Sequence, residues 1–258
     1  MKSLALFATF LCLARVAFAQ DDPTLRPALI GSAPSSIINT IDTKALLARG
    51  QKDGVVQFCA AVDRQGAVVW STIFGASQGS QALETEVRIK VGTGHMIPAI
   101  RKGEPISVLF YGTVTFRVID GKTRLRIFAN QEPAELDKES DFIAPQACLN
   151  GDVFVGFQYP DNQTTVPVEA LVRLALKVDA QGNVREASVA SEKPPLLGFG
   201  DAAIIQFGKA PFIPAFRNGK PVVCEFILPL VYQPAPPPKQ EPEASPADPL
   251  QSLTQPPP

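Results

Sequence analysis

The chain has 258 residues, 45% hydrophobic and 19% charged, with 24 basic against 25 acidic side chains. That length builds one large or two small cores, and a net charge of −1 excludes the dense basic surface of a protein that coats nucleic acid. One His and four Cys leave the usual catalytic and metal-binding constellations short of residues, so the composition points to binding or structure.

The N-terminus reads as an address. Lys2 precedes an apolar block, Leu4 to Ala14, and Val16-Ala17-Phe18-Ala19 then supplies small residues before Gln20. This is the pattern of a secretory signal peptide over residues 1–19, cleaved after Ala19. Arg15 cuts the block short of the roughly 20 apolar residues that a spanning helix needs; an uncleaved anchor is the alternative. Cleavage removes Cys12 and leaves Cys59, Cys148 and Cys224, an odd number, so at least one thiol lacks a partner within the chain. No CxxC spacing marks a zinc site or a redox pair.

After an N-terminal extension (20–40), a first unit begins at 41. Val55 to Val62 is a strand, Asp63 to Gly66 a turn, and Ala67 to Phe74 the returning strand. Ser80 is placed to cap a helix with Glu84 and Glu86 near its positive end and Leu83, Val87 and Val91 on one stripe. Gly92 and Gly94 stop it. A turn through Ile97 to Pro105 leads to a strand from Ile106 to Phe116.

The chain continues into a hairpin, Val114 to Asp120 and Lys122 to Ala129, turning on Asp120-Gly121. A two-residue turn sets Arg117 opposite Arg124 and Ile119 opposite Lys122, with Arg126 on the same side. Like charges facing each other are unfavourable, so Arg117, Lys122, Arg124 and Arg126 form a candidate patch for an anionic partner. The alternative is a solvated face balanced by Glu132, Glu135, Asp137, Glu139 and Asp141. This unit ends at 129, and residues 130–150 read as a polar linker.

The second unit spans 151–232. Val172 to Val178 alternates as a half-buried strand, Asp179 to Gly182 turns, and Asn183 to Val189 returns. Asp201 is the expected cap of a helix over Ala202 to Phe207, and Ile213 to Pro221 leads to a strand from Val222 to Tyr232. The tail, 233–258, holds 10 prolines in 26 residues and reads as a disordered, partly polyproline II extension.

The two units are copies. A gapless shift of 116 residues lays 56–116 on 172–232 with 15 identities in 61 positions, where composition alone gives about 4. They cluster at turns: Asp63/Asp179, Gly66/Gly182, Pro98/Pro214, Ala99/Ala215, Arg101/Arg217, Gly103/Gly219 and Pro105/Pro221. The fold class is therefore α+β, with two tandem β-β-α-β units, each an antiparallel sheet carrying one helix.

The hairpin turning on Asp-x-x-Gly, the short helix and Phe212-Ile213-Pro214-Ala215-Phe216-Arg217-Asn218-Gly219-Lys220-Pro221-Val222 resemble the TonB C-terminal domain. The second copy, opening on Tyr159-Pro160, fits better than the first. The resemblance implies a periplasmic module that contacts outer-membrane transporters, whose extended segments pair with a sheet edge. The expected pairing positions lie on the last strand of each unit: Val222, Val223, Glu225 and Ile227, and Ile106, Ser107, Leu109 and Tyr111. Two copies give avidity, or else the first occludes the edge of the second.

Nothing in the residues indicates an enzyme. His95 and the paired Asp63 and Asp179 read as turn residues, Asn162 heads only a weak glycosylation sequon, and no phosphate-cradling loop or cofactor motif appears. The expected partner is a protein, with no nucleic acid or small-molecule substrate, and the oligomeric state stays open. Two alternatives remain: an envelope scaffold whose proline-rich tail docks a partner, and an anchored energy transducer if the leader is retained in the inner membrane.

Overall fold

The computed structural model describes residues 24–138, 141–151, 154, 156–157, 159–160 and 168–234. The signal-peptide reading, Asn162 and nearly all of the proline-rich tail lie outside them. In chain order the first part comprises β1 (Leu25–Arg26), α1 (Ile37–Thr40), α2 (Thr43–Ala48), β2 (Gly54–Val62), β3 (Val68–Ala76) and α3 (Gln81–Gly92). Next come β4 (Ala99–Arg101), β5 (Glu104–Ile106), β6 (Val108–Ile119), β7 (Lys122–Phe128), α4 (Pro133–Asp137), β8 (Phe142–Ile143) and β9 (Gln146–Cys148). The second part holds β10 (Ala170–Val178), β11 (Val184–Lys193), α5 (Phe199–Phe207), β12 (Phe212–Ile213), β13 (Ala215–Arg217), β14 (Lys220–Val222) and β15 (Cys224–Tyr232). The fold is α+β with antiparallel pairing throughout.

Both units place the first hairpin strand in the middle, as β3-β2-β6 and β11-β10-β15. Their registers superpose under the 116-residue shift. Val62 pairs with Val108 and Val178 with Cys224; Phe58 pairs with Gly112 and Leu174 with Leu228. Even the register breaks coincide, between Gln57 and Phe58 and between Arg173 and Leu174. The hairpin turns match as well: Asp63 Oδ1 accepts from the amides of Gln65 and Ala67, and Asp179 Oδ1 from those of Gln181 and Asn183.

Side-chain size is exchanged between the two units. In the first, the Phe58 ring lies over Gly112, where a Cβ would meet it at 2.5 Å. The second puts leucine at both positions, so a large–small pair becomes two of middle size. The helices bury matching stripes, Leu83, Val87 and Val91 against Phe199, Ala203 and Phe207.

The sheet faces differ. Helix-side residues of β2 and β10 are buried in both units: Val56, Phe58, Ala60 and Val62, and Val172, Leu174, Leu176 and Val178. On the other face of the first sheet, Cys59, Ala61, Leu109 and Tyr111 are buried too, in a cluster with Val172, Phe199 and Phe212 of the second unit. The corresponding face of the second sheet instead carries Lys177 between Glu186 and Glu225, each 3.1 Å away. This is why Phe58 to Val62 is apolar without a break while Val172 to Val178 alternates.

Three expectations need correction. The described residues of the segment 130–150 are folded: β8 pairs with β13, and β9 pairs with both β6 and β12, joining the units. Several of its polar side chains bond backbone groups; Gln146, buried, donates to the Ala28 carbonyl and accepts from its amide at 3.0 and 2.8 Å. Likewise the 20–40 extension contributes β1 to β4 and α1 to the first core. Ser80 stands at the N-cap of α3, but neither expected side chain caps its helix. Ser80 hydrogen-bonds Ser77, and Gln51 Oε1 receives the Leu83 amide at 2.9 Å. The second helix begins at Phe199, ahead of Asp201, and Glu192 on β11 receives the Phe199 amide at 3.0 Å.

Candidate functional site

Strand addition needs an edge whose amides and carbonyls are unpaired. β15 pairs on one side with β10 and is formally terminal in its sheet. Its outer side is nevertheless occupied at the centre. The Ile227 amide donates to Glu132 at 3.1 Å, and Gln131 Nε2 donates to the Ile227 carbonyl at 2.7 Å. Two residues on, Pro229 has no N–H to offer, and its carbonyl accepts the Tyr111 hydroxyl at 2.8 Å. Of the expected pairing residues here, Val223 and Glu225 are exposed, Val222 belongs to β14, and Ile227 is taken.

The first unit closes the same edge with strands. β6 pairs with β7 from Thr113 to Ile119 and with β9 at Val108 and Leu109, and the Leu149 amide reaches the Ser107 carbonyl at 2.8 Å. Ile106 pairs within the small β4–β5 ladder, and Tyr111 turns into the second unit. The expected positions Ile106, Ser107, Leu109 and Tyr111 therefore do not form an open edge, because the folded 130–150 segment and the added hairpin cover it.

The terminal strands opposite these are β3 and β11. On β11, Arg185, Glu186, Ser188, Val189 and Ala190 are exposed. Ile227 points its backbone away from Ala175, so Ala175 points towards β11 and bonds its opposite residue, Ser188. By alternation Ala187 and Val189 direct their backbone groups outwards. On β3, Val69 and Ala76 are exposed, whereas Trp70 and Phe74 pack into the second core cluster.

Neighbouring contacts stiffen the occupied edge. Arg217 forms a two-pronged pair with Glu135, both contacts at 2.9 Å, which ties α4 to β13. That pairing holds the Arg217 guanidinium above its ordinary range. Asp179 is held down to about 2, chiefly by the Asn183 amide and with help from the Asn183 and Arg185 side chains and the Gln181 amide. Burial pushes the Cys59 thiol up to about 12 and Cys148 and Cys224 to about 11, and all three are free.

The register of the β6–β7 hairpin is the one its spacing predicts. Asp120 and Gly121 have φ of 50° and 73°, the mirror-image turn, and Arg117 pairs across from Arg124 and Ile119 from Lys122. Arg117, Arg124 and Arg126 line one cavity of about 160 Å³ with Val55, Phe128 and Leu136. Lys122 lies apart from it, beside Lys44 and Leu47 of α2. Two of the acids expected to balance this charge, Glu132 and Glu135, are engaged with Ile227 and Arg217.

Among the described residues no group of three His, Cys, Asp or Glu side chains is placed to hold a metal, and no helix is long and apolar enough to cross a membrane. His95 makes a backbone bridge to Ala67 beside the first turn. No curated protein and no solved structure matches the chain. A family model, Gram-negative bacterial TonB protein C-terminal, matches residues 155–234. Such domains are non-catalytic, protein-binding and on the periplasmic side. The second unit, a β-β-α-β sheet-and-helix layer closed by β15, is therefore the part of the chain that is similar to the TonB C-terminal domain.

Proposed function

We propose that the chain is a non-enzymatic periplasmic protein-interaction module, exported by its leader, that takes up an extended segment of a partner as an added strand. The partner class the family suggests is an outer-membrane transporter. The first unit is, on this reading, a divergent copy of the same domain, which its shared registers support.

The observation that carries the reading is the contrast between edges in the second sheet. β15 is occupied by Glu132, Gln131 and Tyr111, while β11 is terminal and exposed. The added strand therefore belongs beside β11, at Ala187 and Val189. Main-chain pairing supplies affinity there, and alternate side chains supply choice.

The test is amide hydrogen exchange on the purified chain, with and without synthetic peptides from the N-terminal segments of outer-membrane transporters. Slowed exchange at Ala187 and Val189 is the expected result. Protection confined to β15 would move the site to the other edge, and no protection anywhere would defeat strand addition.

A further inference from the structure

The first unit carries a second surface, independent of strand addition. Thr115 of β6 is flanked by Val55 of β2 and Arg126 of β7, and the next row along holds Arg117 opposite Arg124. α4 stands over these rows with Leu136, leaving the cavity of about 160 Å³ between helix and sheet. Arg117 and Arg124 are exposed, and no ion pair to either is formed among the described residues. Directly opposed side chains in an antiparallel pair start only about 5 Å apart. Like charges directly opposite each other are unfavourable, and an anion between them relieves the repulsion. Beside them, Val55 remains 36% exposed, an apolar patch next to concentrated positive charge.

We propose that this cleft binds an extended acidic peptide, seating one carboxylate between Arg117 and Arg124 and an apolar side chain two residues away against Val55 and Leu136. Geometry favours a peptide over a bare anion. Residues i and i+2 of an extended chain lie on one face about 6.8 Å apart, the spacing of successive rows on a sheet. Charge alone would use the arginines and leave the apolar floor in water. Guanidinium forks match a carboxylate with two parallel hydrogen bonds.

The test uses the whole purified chain and a fluorescent probe, Ser-Leu-Ser-Glu-Ser, followed by anisotropy at low salt. Charge-assisted hydrogen bonds of ordinary strength predict that Glu→Gln in the probe, or the double change R117Q/R124Q in the protein, weakens binding at least about tenfold. Leu→Ser in the probe should weaken it about threefold or more. K220Q, on the second unit, is the control and should change nothing. Thermal melting of the double variant at or above the parent shows that it folds. The proposal is overturned if the Gln probe binds equally or the double variant retains full affinity. It is also overturned if the leucine adds nothing and inorganic phosphate displaces the probe, which would mean a bare anion site. Arginine-dependent binding to phosphatidylglycerol vesicles without peptide binding would mean a membrane surface instead.

Discussion

Tyr111 and Pro229 meet across the boundary between the units, the phenol donating a 2.8 Å hydrogen bond to the proline carbonyl. Tyr111 lies on the strand of the first unit that corresponds to β15, and it closes the outer side of β15 itself. Burial, with Cys59 alongside, holds the Tyr111 hydroxyl well above its ordinary range, so it stays a donor at any physiological pH. Tyr111→Phe keeps the ring and strands a buried carbonyl, which should lower stability by about 1–3 kcal/mol in urea titration. A loss below about 0.5 kcal/mol would mean that water replaces the hydroxyl.

Gly66 and Gly182 make a matched pair of tests. Their φ angles are 91° and 81°, and a Cβ on either would lie 2.0 Å from a backbone oxygen, of Met96 or of Phe212. Alanine at either site should cost more than about 2 kcal/mol, combining left-handed strain with a backbone clash. Chemical denaturation of the two variants checks this. A large loss at one site alone would show that the two turns are not equivalent.

The facing arginines should respond in the opposite sense. R117Q or R124Q removes a like-charge pair and should raise stability by about 0.2–1 kcal/mol in the ligand-free protein at low ionic strength. The gain should shrink at 1 M salt, where the screening length is about 3 Å. A melting temperature lowered by either change would indicate that the arginines hold the cleft together.

Asp179 sets a pH dependence. Its folded-state value of about 2 lies below the ordinary 3.8. Its contribution to stability is therefore complete above the ordinary value and fades as pH falls towards 2. The Asp179→Asn variant should melt below the parent at pH 7 and match it near pH 2. An equal gap at both pH values would show that the carboxylate charge is irrelevant there.

The strands and the turns were legible because each rests on local chemistry. Alternation exposed β10, and Asp63, Gly66, Asp179 and Gly182 marked the hairpins. The segment 130–150 was not legible because its polarity has two explanations. Glutamate and glutamine suit a solvated linker, and they equally suit side chains that complete another strand's hydrogen bonds, as Gln131 and Glu132 do for Ile227. Only the approach of β15 separates the two. The helix caps were missed for the same reason, since Gln51 and Glu192 lie far from the positions where a cap is sought. The arginine row was readable because a two-residue turn fixes its register. What could not be read was that Glu132 and Glu135 bond Ile227 and Arg217.

The lead-in strands extend the repeat beyond what identity reveals. β1 pairs with β4 at Arg101 and Ile100, and β8 pairs with β13 at the counterparts Arg217 and Phe216. Leu25-Arg26-Pro27 and Phe142-Ile143-Ala144 share no residue, so the correspondence lies in the pairing alone.

β9 gives this architecture its mechanical consequence. It bonds β6 on one side and β12 on the other, so a pull or a thermal fluctuation that frees one unit must first unzip a strand shared with its neighbour. A fragment cut to the family boundary at 155 would discard that strand and leave apolar β12 bare. A strand shared in this way couples the two sheets, so that loosening one exposes backbone of the other.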